Sequence, residues 1–352
     1  MKGLNWFDKF LYFFNCLLAA ILLFAYLLPF IPPKSFALLS VLTLGVPFLI
    51  IANLLFLLYW LLRLKKQVLL SLIVLLIGFN HLTSVYEFSA EDEVAPNVNN
   101  LSFITYNVRQ FNQYEWSERI DIPQKISEFI IEEDPDFIAM QEYYKGELTI
   151  AESFPHKFIY IQEENAEFGL AILSKYPIIK SGSLDFPTPG NNNAIFADVV
   201  VAKDTLRIIN VHLQSFGVKP ELDELEQNKK RVFMGMGRTF AMQQEQMELV
   251  IEMVKKTPHP VVLMGDFNNT AYSYIYREIL SLGFNDAYKT EGNGFGRTFD
   301  FDYFPLRIDY IMAQEAYFDI IQFETFEVPY SDHFPIKAII KFNSNGLSEK
   351  EG

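Results

Sequence analysis

Residues 260–268 read PVVLMGDFN: a short apolar run that passes through a glycine directly into an aspartate and, two positions on, an asparagine. A run of this length is a buried strand rather than a helix. Polar residues at its carboxyl end stand where the sheets of α/β proteins bind ligands. Taken alone, Asp266 and Asn268 have a plainer reading, an Asx-turn closing the strand. The pattern recurs, however. FITYN (103–107) ends at Asn107, DFIAMQE (136–142) at Glu142 and RIINVH (207–212) at His212, Asp309 lies inside RIDYIM (307–312), and Asp332 and His333 stand just ahead of the run FPIKAIIKF (334–342). One such residue is ordinary turn chemistry; the set points to a shared site.

Further β-rich runs, FGLAILS and NAIFADVVVA, and a helical stretch, ERIDIPQKISEFIIEED, are interleaved with these. The segment from Glu221 to Lys256 is mainly polar with helical spacing and is expected outside the core, as one long or two shorter helices. Buried and half-buried strands mixed with helices predict an α/β (α+β) sandwich rather than one doubly wound sheet. The domain that these runs build is placed at residues 101–345, after a linker at 87–100 (EFSAEDEVAPNVNN) and before a polar tail at 346–352.

Outward from this domain the composition changes. Between Lys9 and Lys34, Lys34 and Arg63, and Lys66 and Glu87 there are uncharged stretches of 24, 28 and 20 residues. About 20 apolar residues cross a bilayer as a helix, so residues 1–86 are read as a transmembrane region of three helices, at about 10–31, 36–62 and 67–86. Three long stretches do not resemble a cleavable signal peptide. Lys2, Lys9, Arg63, Lys65 and Lys66 fall on one side of such an arrangement, and Lys34 with the acidic linker on the other. The positive-inside rule then puts the N-terminus in the cytoplasm and everything after Tyr86 outside it, the periplasm for a bacterial inner-membrane protein.

Residues 1–86 hold six Lys or Arg against one acid, so the whole net charge of −14, and more, belongs to the rest of the chain. Such a field disfavours tight binding of duplex DNA and suits cations. The only cysteine, Cys16, lies in the first apolar stretch, so the chain has neither an internal disulfide nor a thiolate metal site, and any metal must be held by oxygen or imidazole.

Four carboxylates, two amides and two imidazoles at or beside strand ends, with no cysteine or serine nucleophile, fit phosphoester hydrolysis. Mg2+ or Mn2+ takes carboxylate and amide oxygens, polarises the phosphoryl group and helps ionise an attacking water. The ordered set YNVR, QE, NVHLQS, GDFNN, RIDYI and SDHFPI, over residues 101–342, resembles the endonuclease/exonuclease/phosphatase superfamily of metal-dependent phosphoesterases, which includes deoxyribonucleases, abasic-site endonucleases, inositol polyphosphate phosphatases and neutral sphingomyelinases.

The resemblance implies a four-layer α/β/β/α sandwich with the site in a cleft at one edge. It implies Glu142 as principal metal ligand with Asn107 beside it, and Asp332 as a second carboxylate near the metal. Asp266 would orient or deprotonate the water, and Asn268 hold a phosphate oxygen. His333, aligned by Asp309, would stabilise the phosphorus centre, with His212 as the other phosphate-facing imidazole. Where abasic-site endonucleases carry an acid two positions after the first asparagine, this chain has Arg109, which binds phosphate but no metal. That favours one metal over two. Arg238, on the polar helix, is a second candidate for gripping phosphate, against the plainer reading of a solvated arginine. Thr298 and Phe299, in GFGRTF, fall where the superfamily often places a loop over the cleft.

The expected activity is hydrolysis of a phosphodiester or phosphomonoester in a lipid headgroup, a nucleotide or nucleic acid, with the bilayer as a further partner. The rival is a catalytically weak or inactive domain of the same fold, serving as a membrane-bound binding or scaffold module; Arg109 is the one feature in its favour.

Overall fold

The computed structural model describes residues 4–88, 100–147, 149–162, 166–188, 190–216, 222–301 and 304–343, with 222–229 described by backbone alone. The proposed linker is thus mostly outside the described residues, and the proposed tail wholly so. The chain forms two compact units. One comprises Met1–Tyr86, Phe216–Gln244 and Thr270–Arg277; the other comprises Glu87–Ser215, Glu245–Asn269 and Glu278–Gly352.

In the first unit, helix α1 (Trp6–Ala25) begins at Asn5, whose side-chain oxygen accepts the Asp8 N–H at 2.7 Å. After a turn come α2 (Pro33–Val41), broken at Phe36, and α3 (Val46–Leu62). Two helical stretches, Trp6–Phe30 and Pro33–Leu62, are long and apolar enough to cross a membrane. The third expected span differs: helix α4 (Val68–Ile77) stops at Gly78 after 10 residues, about 15 Å and half a hydrocarbon core. Glycine favours such a stop, and at this one the Tyr26 ring lies against the glycine, where a Cβ would stand 2.0 Å from it. Polar residues join the three helices. Asn15 of α1 donates to Ser71 of α4 at 2.8 Å and accepts from the Trp60 indole of α3 at 2.9 Å. Asp8 takes Arg63 at 2.8 Å and the Tyr59 hydroxyl at 2.7 Å. These contacts put the start of α1 beside the end of α3.

The second unit is the expected sandwich. One six-stranded sheet contains β1 (Asn100–Asn107), β2 (Phe137–Tyr144), β3 (His156–Tyr160), β4 (Phe168–Ser174), β11 (Phe318–Thr325) and β12 (Ile336–Phe342), ordered β11-β12-β1-β2-β4-β3. The other contains β5 (Ile178–Ser183), β6 (Asn193–Val201), β7 (Asp204–His212), β8 (Val261–Asp266), β9 (Phe284–Asp286) and β10 (Asp309–Gln314), ordered β9-β10-β8-β7-β6-β5. Each sheet has one parallel pair, β1 with β2 and β7 with β8, flanked by antiparallel neighbours. Alternate residues, Phe103, Phe137, Ala139 and Ile172 of one sheet with Ile195, Ala197, Ile208, Val262 and Met264 of the other, form one continuous core. The opposite face of the first sheet packs Ile104, Ile138 and Met140 on Ile122, Ile126 and Ile130 of helix α5 (Ile122–Glu133).

Residues Leu222–Lys256 form one helix, α6, of 35 residues. The expectation that this segment lies outside the core is corrected in its second half, where Met247, Val250 and Val254, at helical spacing, are buried.

Candidate active site

Strand direction brings the predicted residues to one edge. β1, β2, β7 and β8 end there, and their antiparallel neighbours β10 and β12 begin there. Across the second sheet the register sets His212 opposite Asp266 and Asp266 opposite Asp309. Gly265 makes the first pairing feasible: it has φ +134°, and a Cβ would stand 2.1 Å from the Val211 carbonyl oxygen. In the first sheet the β2 to β4 ladder slips between Met140 and Tyr143, and Glu142 sits in this bulge at φ +54°. A bulge re-aims a side chain that regular pleating would fix.

Asp266 is the hub. One of its carboxylate oxygens lies 3.1 Å from the Asn107 amide nitrogen, 3.2 Å from that of Asn268, 3.6 Å from Nε2 of His212 and 3.7 Å from Nε2 of His333. Its other oxygen accepts the Asn268 N–H at 2.8 Å. His212 Nε2 is also 4.0 Å from a Glu142 oxygen, and the Asn107 amide nitrogen is 3.5 Å from the same oxygen. His333 turns Nδ1 to both oxygens of Asp309, at 2.9 and 3.1 Å. Arg109 reaches Asp332 at 3.2 Å while its guanidinium covers the Trp116 ring at 4.4 Å.

The structure therefore brings Asn107, Glu142, His212, Asp266, Asn268, Asp309 and His333 together, with Arg109 paired to Asp332 beside them. Arg238 is exposed on the part of α6 that belongs to the first unit.

Further residues support the site; of these the sequence singled out only Thr298 and Phe299, as part of a loop over the cleft. Gln141 and Asn210 are fully buried between the sheets. Gln141 donates to Asn210 at 2.7 Å and to Thr105 at 3.0 Å, and Asn210 donates to the Met140 and Ala171 carbonyls at 2.8 and 2.9 Å. This pair lies next to Glu142 in β2 and two residues before His212 in β7. Thr298, fully buried, accepts the N–H groups of Ile308 and Asp309 at 3.0 and 3.1 Å, and its carbonyl takes the Phe334 N–H at 2.8 Å. The Phe299 ring stands edge-on to His333, with centroids 4.9 Å apart. Ser331 donates to the Asn107 carbonyl at 2.8 Å and accepts the His333 N–H at 3.2 Å. Gln110, in a left-handed turn covering Arg109–Asn112, contacts the second Glu142 oxygen. Gln141, Asn210 and Ser331 lie within the motifs QE, NVHLQS and SDHFPI and Gln110 directly follows YNVR, but nothing in the sequence tells which groups they meet. Arg307, within RIDYI, is structural: it pairs with buried Asp286 at 2.6 Å and stacks on Tyr288 and Tyr310.

The two imidazoles are driven to opposite charge states. Burial pulls His212 down to about 3, helped by the charge of His333, so it is neutral. Burial also opposes charge on His333, but the carboxylates of Asp309 and Asp266, with the Asp309 hydrogen bond, outweigh it and lift it to about 10. Burial raises Asp266 to about 7 and raises Glu142 as well, Asp332 adding to the latter.

Buried carboxylates pushed toward their neutral form are short of positive charge, and the donors here are oxygens, which suit a hard divalent cation. Asp266, Asp309 and His333 offer one ligand atom each within 4.8 Å. A protonated His333 has no lone pair for a metal, however, and its Nδ1 is taken by Asp309. The Asn107 oxygen accepts the Arg109 N–H at 3.1 Å, so its amide nitrogen faces the carboxylates.

Residues 104–333 match the profile of the Endonuclease/Exonuclease/phosphatase family, and residues 8–85 match a domain of unknown function. No curated protein matches the chain. Among solved structures, an endonuclease/exonuclease/phosphatase from Bacteroides vulgatus is 22% identical, with TM-score 0.54 over 69% of this chain and 99% of that one. One from Beutenbergia cavernae is 19% identical, with TM-score 0.54 over 69% and 72%. The human Nocturnin catalytic domain with bound sulfate anion is 15% identical, with TM-score 0.54 over 72% and 97%. At these identities the likeness is one of fold.

Proposed function

The chain belongs to the endonuclease/exonuclease/phosphatase family, and from that premise we propose that residues 101–345 form a divalent-metal-dependent phosphoesterase tethered to a membrane by the N-terminal helices. The observation that carries the reading is Asp266, buried within 3.7 Å of two imidazoles and two amides, with His333 backed by Asp309. A scaffold has no physical need for a buried carboxylate so surrounded.

Glu142 and Asp332 would hold Mg2+ or Mn2+, while Asn107, whose amide nitrogen faces Glu142 and Asp266, would act as a hydrogen-bond donor beside them rather than the metal ligand first expected; the chemistry supplied there is Lewis-acid polarisation of a phosphoryl oxygen. Asp266 orients the attacking water and takes its proton, for which a carboxylate lifted toward neutrality is suited. His333, kept cationic by Asp309, stabilises charge building on the phosphoryl oxygens, and neutral His212 and the Asn268 amide donate hydrogen bonds to them. Arg109, already poised beside Asp332, adds a fork for a phosphate oxygen.

The tether favours a substrate at a surface, such as a lipid headgroup, over free nucleotide or nucleic acid, and the acidic charge disfavours duplex DNA. Two observations support an extracytoplasmic site. The Asp8 to Arg63 pair gathers the basic end of the helices. Tyr26, at the end of α1, lies against Gly78, at the end of α4, which favours an exit of α4 toward the Lys34 end, although α4 alone is short of a full span.

The test is hydrolysis of bis-(p-nitrophenyl) phosphate by the full chain in detergent, stripped of metal and then given Mg2+ or Mn2+. Metal-dependent turnover lost in Glu142→Ala and in His333→Ala is expected. No turnover with either metal, or turnover that survives both substitutions, sinks the proposal.

A further inference from the structure

The first half of α6 belongs to the same compact unit as the apolar N-terminal helices. Its residues 233, 237, 240 and 244 recur at helical spacing and so share one face, with 234 beside them. That face is traced by contacts. The Gln244 side-chain oxygen accepts the Lys34 N–H at 2.9 Å. Phe240 is buried, its ring 5.1 Å from that of Phe216. At Gly237 the helix runs so close to Ala37 that a Cβ would stand 3.3 Å from its backbone.

One turn further along this face, Phe233 is 45% exposed and Met234 42%. The partner segment continues it, since Ala37 lies between Phe36 and Leu38, 61% and 56% exposed. This apolar strip sits at the turn joining the two helices long enough to cross a bilayer. Three exposed cations flank it: Lys230, Arg231 and Arg238. Large apolar residues on one side of a helix, bordered by Lys and Arg, are the composition of a helix lying in a bilayer interface.

We propose that residues 230–238 are a second lipid-contact element, lying in the boundary of the bilayer that takes the N-terminal helices. Phe233 and Met234 enter the acyl-chain region, and Lys230, Arg231 and Arg238 meet headgroup phosphates. The inference rests on the membrane-tether reading and goes beyond it: the helix that follows the His212 strand is itself fixed to the lipid surface, which accounts for its exposed apolar side chains.

The full chain, in a Cys16→Ser background, is labelled with an environment-sensitive fluorophore at Phe233→Cys or Met234→Cys and placed in nanodiscs of mixed phosphatidylcholine and phosphatidylglycerol. Leu55→Cys, on the exposed face of α3, reports whether the apolar helices are in lipid; exposed Lys255→Cys is the aqueous control. Labels at 233 and 234 should be quenched by chain-nitroxide lipid several-fold more than at 255 and protected from iodide. Quenching at 55 with aqueous behaviour at 233 and 234 overturns this inference and leaves the tether standing. Shielding of 233 and 234 from both quenchers means that protein, such as a second copy, covers them, and also overturns it. Absence of lipid quenching at 55 removes the tether and the inference together.

Discussion

His333 faces Asp309 through Nδ1 with both carboxylate oxygens in reach, at 2.9 and 3.1 Å, leaving Nε2 turned toward Asp266 at 3.7 Å. The pairing fixes the ring and, with Asp266, holds its charge against burial that would otherwise remove it.

Histidine titration follows from this. In the metal-free chain, NMR of labelled histidine should find His333 protonated until the pH rises through about 10 and His212 neutral until the pH falls through about 3. Asp309→Asn removes a large favourable charge, so His333 should lose its proton at a lower pH. With metal, the basic limb of kcat/KM should move the same way, and kcat should fall by about 10²-fold or more, the scale of a positioned acid or base. An unmoved basic limb in Asp309→Asn would mean that His333 is not the group being titrated.

Metal affinity should rise with pH. Burial raises both Glu142 and Asp266, the latter to about 7, so each holds a proton further up the scale than a free carboxyl. A cation must displace those protons, so binding weakens as pH falls below neutrality. Calorimetry of Mn2+ binding between pH 6 and 8, in buffers of differing ionisation enthalpy, should show proton release that diminishes at the upper end. Binding independent of pH, or unchanged in Glu142→Ala, contradicts the assignment.

Between the sheets, Asn210 satisfies the carbonyls of Met140 and Ala171 and accepts from Gln141. Asn210→Ala strands these fully buried groups, each worth about 1–3 kcal/mol when left unpaired. The variant should lose about 2–4 kcal/mol of stability in thermal or urea unfolding. Because the network adjoins Glu142 and His212, kcat should fall while the enzyme is still folded. A neutral effect on both would show that the pair is not needed to set the site.

What the sequence made legible, and what it hid, has a topological cause. The nine runs that read as strands or helix are central elements buried on two sides, such as VVLMGD, or elements with a clear amphipathic face, such as ERIDIPQKISEFIIEED. In the two six-stranded sheets the strands it missed, His156–Tyr160, Ile178–Ser183, Phe284–Asp286 and Phe318–Thr325, are the four edges. Edge strands keep polar, half-exposed faces, which blurs their periodicity. The site residues were legible because a charge at the end of an apolar run stands out. The roles of Thr298, Ser331, Gln141 and Asn210 were not, since what matters about them is which groups they meet across distant elements. The third apolar run was over-read: 20 uncharged residues do not make one helix when Gly78 interrupts them.

Arg109 decides between an active enzyme and a weakened one. Its guanidinium is 3.2 Å from Asp332 and spread over Trp116, an arrangement that holds the fork rigid while leaving both partners partly exposed. If it grips a substrate phosphate, Arg109→Ala should raise KM by about 10-fold or more, the loss of one charge-assisted hydrogen-bonded pair, with a smaller change in kcat. Arg109→Lys should recover little, because an ammonium neither forks nor stacks as guanidinium does. If the residue instead marks decay of the site by occupying Asp332, freeing that carboxylate in Arg109→Ala should strengthen metal binding and raise turnover. Steady-state kinetics of the two variants, with Mn2+ titrations of each, separate the outcomes, and a rise in turnover is the one that favours the scaffold reading.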